Sequence, residues 1–332
     1  SQAQLEKALE IRRRDLGENN ADTLASMDEL AMLYYEQGQY KQAEALSSAA
    51  LAGRRRLLGA ENQDTMLSMS NLAEIYAIES KFPEAEALCR EAFDHRKRLL
   101  GPEHPDTLTS MNNLACLHYQ LGRMDEGESI YQQVIEVERR VKGPSHPQTL
   151  RTMNNLALLF NDSGRLDEAE TLLREVLAQR RIVLGDKHED TLSAMGNLAE
   201  VLRQATKYEE AESLLRQLIE TERRVLGASH PTLAIHLNNL GRVLVKRDDL
   251  KGAEQFLRES LVINEASLPK GHVQIATAKL GLGYCLTLLG TFDEAERMLV
   301  DAQANMEGKP DVSPAWQAGA ITYLVKLYEA WD

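Results

Sequence analysis

Aromatic residues make up only 5% of the 332-residue chain, and glycine and proline are sparse, at 20 and 9 residues. With few rings and a hydrophobic content of 43%, the composition suits aliphatic helix packing better than sheets and predicts an all-α fold. No apolar run approaches the roughly 20 residues that span a bilayer, and no charged-then-apolar segment opens the chain, so no membrane partner is expected. The three cysteines, Cys89, Cys116 and Cys285, share no close spacing. Neither a disulfide framework nor a zinc site is therefore expected, and the expected compartment is the reducing cytoplasm. Excess positive charge is lacking too: a net charge of −13 disfavours nucleic acid as partner of the whole surface.

What is present is repetition. The segment Gly-Pro-Glu-His-Pro-Asp-Thr-Leu at 101–108 reappears at 143–150 as Gly-Pro-Ser-His-Pro-Gln-Thr-Leu, a shift of 42 residues. The same shift links Asn71, Asn113, Asn155, Asn197 and Asn239, each followed by leucine, and Leu30 and Leu282 extend that series. It also links Ala43, Ala85, Ala169, Ala211, Ala253 and Ala295, with Gly127 standing in once and a glutamate behind each. Seven periods fit without insertion.

Within the period 106–147, Leu108, Met111, Leu114, Ala115 and Leu117 recur at helical spacing, Gly122 interrupts, and a second amphipathic run follows to Val141. Each repeat therefore reads as a helical hairpin. Asp106 or Thr107 is expected to cap the first helix beside Pro105, and Gly122, like Gly38, Gly164 and Gly290, to end it in a left-handed conformation. Acids open the second helices (Asp125, Glu126; Asp167, Glu168; Glu209, Glu210) and bases close them (Arg96 to Arg98; Arg139, Arg140; Arg180, Arg181; Arg223, Arg224). That order complements the helix macrodipole, at about 0.3–1 kcal/mol per well-placed charge. Residues 1–21 are expected to be the second helix of a preceding partial repeat and its link, 22–315 seven hairpins, and 316–332 the first helix of an eighth, with a helix start at Ser313-Pro314.

The order Leu72, Ala73, Tyr76, Ala85, repeated as Leu30, Ala31, Tyr34, Ala43, resembles the tetratricopeptide signature. Met27, Met69, Met111, Met153 and Met195 replace that family's usual tryptophan. Its usual proline near the end of the second helix is absent where Arg55, Lys97 and Arg181 lie, so the helix can run about two turns further and the period lengthens. Long second helices, His-Pro-Asp-Thr links and Asn-Asn-Leu-Ala openings are similar to kinesin light chains, and to sensor arrays of some fungal and bacterial NTPase signalling proteins. The resemblance implies a right-handed α-α superhelix whose first helices form a concave peptide-binding groove. Onto that groove it places Asn71, Asn112, Asn113, Tyr119, Arg151, Asn154, Asn155, Asn197, Arg203, Asn238, Asn239, Arg242 and Lys246.

Carboxamides donate and accept together, so such a ladder suits the backbone of an extended peptide; it equally suits bonds that hold neighbouring repeats. Asp28, Glu29, Glu36 and Glu74 are expected on the N-terminal wall, and Arg151, Arg203, Arg242 and Lys246 on the central and C-terminal wall. An acidic peptide, or one carrying tryptophan beside acids, is the expected ligand of the bases. Trp331-Asp332 resembles such a peptide itself; packing on the last hairpin is the other reading.

Catalysis is not expected. His104, His146, His188, His230 and His272 lie 42 residues apart and belong to the link, His118 and His236 stand alone on first helices, and no phosphate loop or nucleophile–base pair is present. No cofactor or metal is expected. An adaptor that captures short peptides and a sensor array of a larger NTPase-type signalling protein are the two functional classes implied, with a monomer or weak self-association through the terminal repeats.

Overall fold

The computed structural model describes residues 2–307, 309 and 314–332; Ser313 lies outside them. The described residues form sixteen α-helices and no strand, in two compact units, Ser1–Ser163 and Gly164–Asp332. The first holds α1 (Gln2–Leu16), α2 (Ala21–Glu36), α3 (Tyr40–Leu58), α4 (Gln63–Ile78), α5 (Phe82–Leu100), α6 (Pro105–Gln120), α7 (Met124–Val141) and α8 (Pro147–Asp162). The second holds α9 (Leu166–Leu184), α10 (Glu189–Gln204), α11 (Tyr208–Val225), α12 (Pro231–Lys246), α13 (Leu250–Ser267), α14 (Val273–Leu288), α15 (Phe292–Met306) and α16 (Pro314–Trp331).

In the first unit α2, α4, α6 and α8 touch in succession, and in the second α10, α12, α14 and α16 do so; no two second helices approach as closely within a unit, among the described residues. First helices therefore form the inner layer of each unit. The repeated leucines from Leu30 to Leu282 are buried, and Ala43, Ala85, Ala169, Ala211, Ala253 and Ala295 have no exposed surface. The reason for a small residue there is visible at Gly127, where an added Cβ would meet the Ala115 carbonyl and the Leu159 side chain at 3.2 Å each.

First helices are not capped by Asp106 or Thr107. Helix α6 begins at Pro105, and the cap is His104, whose Nδ1 accepts the Asp106 amide at 3.2 Å. His146, His188, His230 and His272 do the same at α8, α10, α12 and α14. At α2 and α4 the residue is asparagine, and Asn20 and Asn62 accept through Oδ1 at 2.9 Å. An imidazole Nδ1 and an amide oxygen sit at similar reach from the backbone, so either satisfies the free donor of the first turn.

The glycines after the first helices adopt the expected left-handed conformation, φ 72–75° at Gly38, Gly122, Gly164 and Gly290. Where the sequence departs from glycine, Ser80, Thr206 and Asp248 are held at φ 59°, 60° and 64°.

The charges closing the second helices divide in two. On α5, Arg98 is exposed, whereas Arg96 is buried with its Nη1 on the Ser110 hydroxyl at 2.6 Å. Arg54 reaches Ser68 at 2.9 Å, Glu138 accepts from Thr152 at 2.9 Å, and Glu222 meets His236 Nδ1 at 2.9 Å. Arg180 and Asn264, facing Ala194 and Ala278 in the repeat frame, turn instead to the backbone carbonyls of Asp190 and Gln274. A buried polar contact thus recurs at each period between a second helix and the next first helix of the same unit. Arg96 and Arg180 belong to it, not to a macrodipole coat.

Candidate functional site

The inner face of each unit follows from helix register. Positions three, four and seven apart share one side of a first helix, and the opposite side is taken by the leucine and alanine that pack on the second helix. In the first unit that face carries Glu29 and Glu36 on α2, Asn71, Glu74 and Ile78 on α4, Asn113, Cys116 and Gln120 on α6, and Asn155 and Asp162 on α8. Asp28 is not on it. Its carboxylate is buried against Arg54 at 2.6 Å and accepts from Ser68 at 2.6 Å, because its position points between hairpins.

A cavity of about 330 Å³ opens on this face, lined by Tyr35, Glu74, Asn112, Asn113, Gln120 and Arg151, with Ala73, Ala77, Ile78 and Leu117 as apolar wall. Asn112 is 8% exposed, and its Oδ1 has no hydrogen-bond partner among the described residues. The Tyr35 hydroxyl donates to Glu74 Oε1 at 3.1 Å. Burial, then the Glu74 charge, pushes the Tyr35 phenol well above its ordinary range, so it stays a donor. Burial raises both thiols nearby, Cys89 to about 11 and Cys116 in the same direction, which keeps them protonated and unreactive.

Two other candidates in this unit hold structure. Tyr119 hydrogen-bonds Asp162 on the next first helix, and Asn155 engages the fully buried Tyr131 hydroxyl of α7 beside Cys116. Asn154 is buried and Asn71 half-buried.

In the second unit Asn197 and Asn239 are half-buried on the inner face, while Asn238 is buried with its Oδ1 turned to Gly281 of α14, 3.0 Å from where a Cβ would stand. Arg203 is not a free base: it grips Glu200 through two bonds, at 2.9 and 2.5 Å. Burial opposes ionisation of Glu200, but Arg203 and Arg242 outweigh it and hold its carboxyl below the ordinary value. Arg242 lies over the Trp316 ring, 5.0 Å from the centroid, and makes no ion pair among the described residues. Lys246 is exposed.

Helix α16 adds what the sequence reading left out. Tyr323 stacks on Tyr284 with centroids 4.2 Å apart, and Lys326 stands over Tyr284 at 5.3 Å. Tyr323 falls two periods after Asn239, so extending the repeat frame would have placed it on the inner face. Trp331 instead stacks on Phe292 of α15, centroids 5.6 Å apart, the packing alternative for the C-terminal tryptophan.

No group of three or more histidine, cysteine or acidic side chains able to hold a metal occurs among the described residues. No described helix is long and apolar enough to cross a membrane.

The inner-layer hairpins have many relatives. No curated protein sequence matches the chain significantly. Among solved structures, the nearly identical TPR-like repeats of a protein assigned as a kinesin light chain in Podosopora anserina share 27% identity with it, over 60% of this chain and 95% of that one, at a TM-score of 0.53. BtubC (BKLC) from P. vanneervenii is 22% identical over 68% of this chain and 91% of its own, at 0.60. The apo quorum sensor NprR from B. thuringiensis, 15% identical over 92% and 83%, reaches 0.68. The last two likenesses are of fold. The tetratricopeptide repeat model matches residues 1–56, 62–126, 117–182, 159–221 and 190–266. The 42-residue hairpins, their inner layer of first helices and this match, which runs over most of the sequence, make the chain a member of the tetratricopeptide repeat family, a fold of protein-protein interaction scaffolds.

Proposed function

We propose that the chain is a non-catalytic adaptor, of the kind its resemblance to kinesin light chains implies, which holds an extended partner segment along the inner faces of its first helices. One observation carries the reading. Arg242 is desolvated, lies over Trp316 and has no carboxylate partner of its own among the described residues, although charge-assisted bonds to such a group are among the strongest a protein makes. Burial, then the neighbouring Arg203 charge, pushes the Arg242 guanidinium below its ordinary value, and the charge of an incoming carboxylate offsets both effects. With Lys246, Lys326 and the Tyr284–Tyr323 stack on the same face, the second unit suits a segment that pairs acidic with aromatic residues.

Fluorescence anisotropy with labelled acidic, neutral and basic peptide libraries tests this reading on the whole chain. Acidic peptides are expected to bind, and Arg242→Glu to weaken them at least tenfold. Arg203→Glu has the smaller effect, because Arg203 already holds Glu200. Unchanged affinity of acidic peptides for Arg242→Glu would sink the proposal.

A further inference from the structure

The residues that define the repeat do not tell one hairpin from the next. A pairing displaced by 42 residues, with one hairpin looped out, sets the same leucines and alanines against each other, and misassembly of this kind is a characteristic folding error of repeat arrays. The contacts of Arg12 with Ser26, Arg54 with Ser68 and Arg96 with Ser110 do not prevent it, because they are interchangeable.

The contact between α11 and α12 is of another kind. His236 Nδ1 stands 2.9 Å from both carboxylate oxygens of Glu222, and the two residues are 8% and 1% exposed. In the other repeats the place of His236 is held by serine, threonine or alanine. Room for the ring comes from α10, where a Cβ on Gly196 would stand 2.6 Å from His236 Nε2. The equivalent positions carry Asp28, Ser70, Asn112, Asn154, Asn238 and Leu280, every one with a Cβ.

We infer that Gly196, Glu222 and His236 form a key that fixes the order of the hairpins in the second unit, by admitting α12 only beside α10 and α11.

The key excludes wrong neighbours as well as holding the right ones. If the hairpin α12–α13 loops out and α11 meets α14, Glu222 faces Ala278 and its carboxylate is buried without a donor. His236 is the one ion-pair partner of Glu222 among the described residues, so nothing on α11 takes its place. Glu138, at the same position of α7, is different: Lys142 of its own helix lies 3.3 Å away and accompanies it into any pairing. If α10–α11 loops out instead and α12 meets α9, the imidazole faces Arg180 in place of a carboxylate. An uncompensated buried charge is among the costliest defects of a folded chain, so both errors are penalised where the apolar contacts alone would allow them.

Pulse-labelling hydrogen exchange during refolding of the whole chain tests the key. The parent is expected to protect 189–267 as one population. Glu222→Arg with His236→Ser installs the contact that Arg54 makes with Ser68, and gives a second population, about a tenth of the chains, in which 231–267 stay open while 273–306 are protected. Glu222→Gln with His236→Ser, which leaves no charge buried, gives the same species and carries the test should the arginine variant not fold. Gly196→Asn is expected to lower the folding equilibrium constant about tenfold in the parent, by urea denaturation, and less than about threefold in the Glu222→Gln, His236→Ser chain, where no ring is displaced. A merely structural contact lowers stability across 189–267 without producing the species open at 231–267 and protected at 273–306. That result, the same open species in the parent, or an equal cost of Gly196→Asn in the two backgrounds overturns the inference.

Discussion

Arg54 Nη1 lies 2.6 Å from Asp28 Oδ2, with side-chain exposures of 7% and 8%, and the Ser68 hydroxyl closes the triangle by accepting from Arg54 and donating to Asp28. The three residues come from α3, α2 and α4, so one buried contact ties a hairpin to its successor.

Removing one partner leaves the other charge buried. Arg54→Met is expected to cost about 3–5 kcal/mol in urea denaturation at neutral pH, and the pair Asp28→Leu with Arg54→Met to recover most of it. The pH dependence has a definite sign. Burial, against Ser68 and Arg54, pushes the Asp28 carboxyl above its ordinary 3.8, so the folded state binds this proton more readily than the unfolded chain. Stability from this group therefore falls as pH rises above that ordinary value, and the Arg54→Met deficit shrinks in acid.

The histidine caps make a second test. His104→Ala is expected to lower stability by about 1 kcal/mol, whereas His104→Asn stays near the parent, since Asn20 and Asn62 already serve α2 and α4. Equal losses in the two variants would mean that the ring packs instead of capping.

Thr206 sits at φ 60°, a conformation that a β-branched residue adopts only under strain. Thr206→Gly is expected to raise stability by about 1 kcal/mol, and Asp248→Gly by less, because aspartate tolerates the left-handed region better. Thermal and urea unfolding measure both.

Glu200 neutralises Arg203, so Glu200→Gln frees a base on the inner face and is expected to strengthen acidic-peptide binding about three- to tenfold by anisotropy. Its stabilising contribution, from a carboxyl that burial would raise but Arg203 and Arg242 hold below its ordinary 4.5, is present above that value and lost as pH falls through the depressed one. The stability difference between parent and Glu200→Gln therefore closes in acid.

Much of the fold was legible because it is periodic. A 42-residue shift aligned the leucines, alanines and glycines, and each packs or turns as its repeated position requires. The site was less legible. Asn112, Asn113 and Arg151 come together at one cavity, but Asn155 and Tyr119 serve neighbouring helices and Arg203 serves Glu200. The same carboxamide suits a ligand or a neighbouring repeat, and the sequence does not show which acceptor lies within reach.

The sequence by itself determined the repeat, the hairpin within it and the family, because helix periodicity and turn chemistry are local and recur in every period. Tertiary structure decided which charges are buried, which asparagines keep an unsatisfied oxygen, and that His104 and not Asp106 caps its helix. Those outcomes depend on what the next hairpin brings within hydrogen-bond distance, and pairing across a packed interface sets them, not position along the chain.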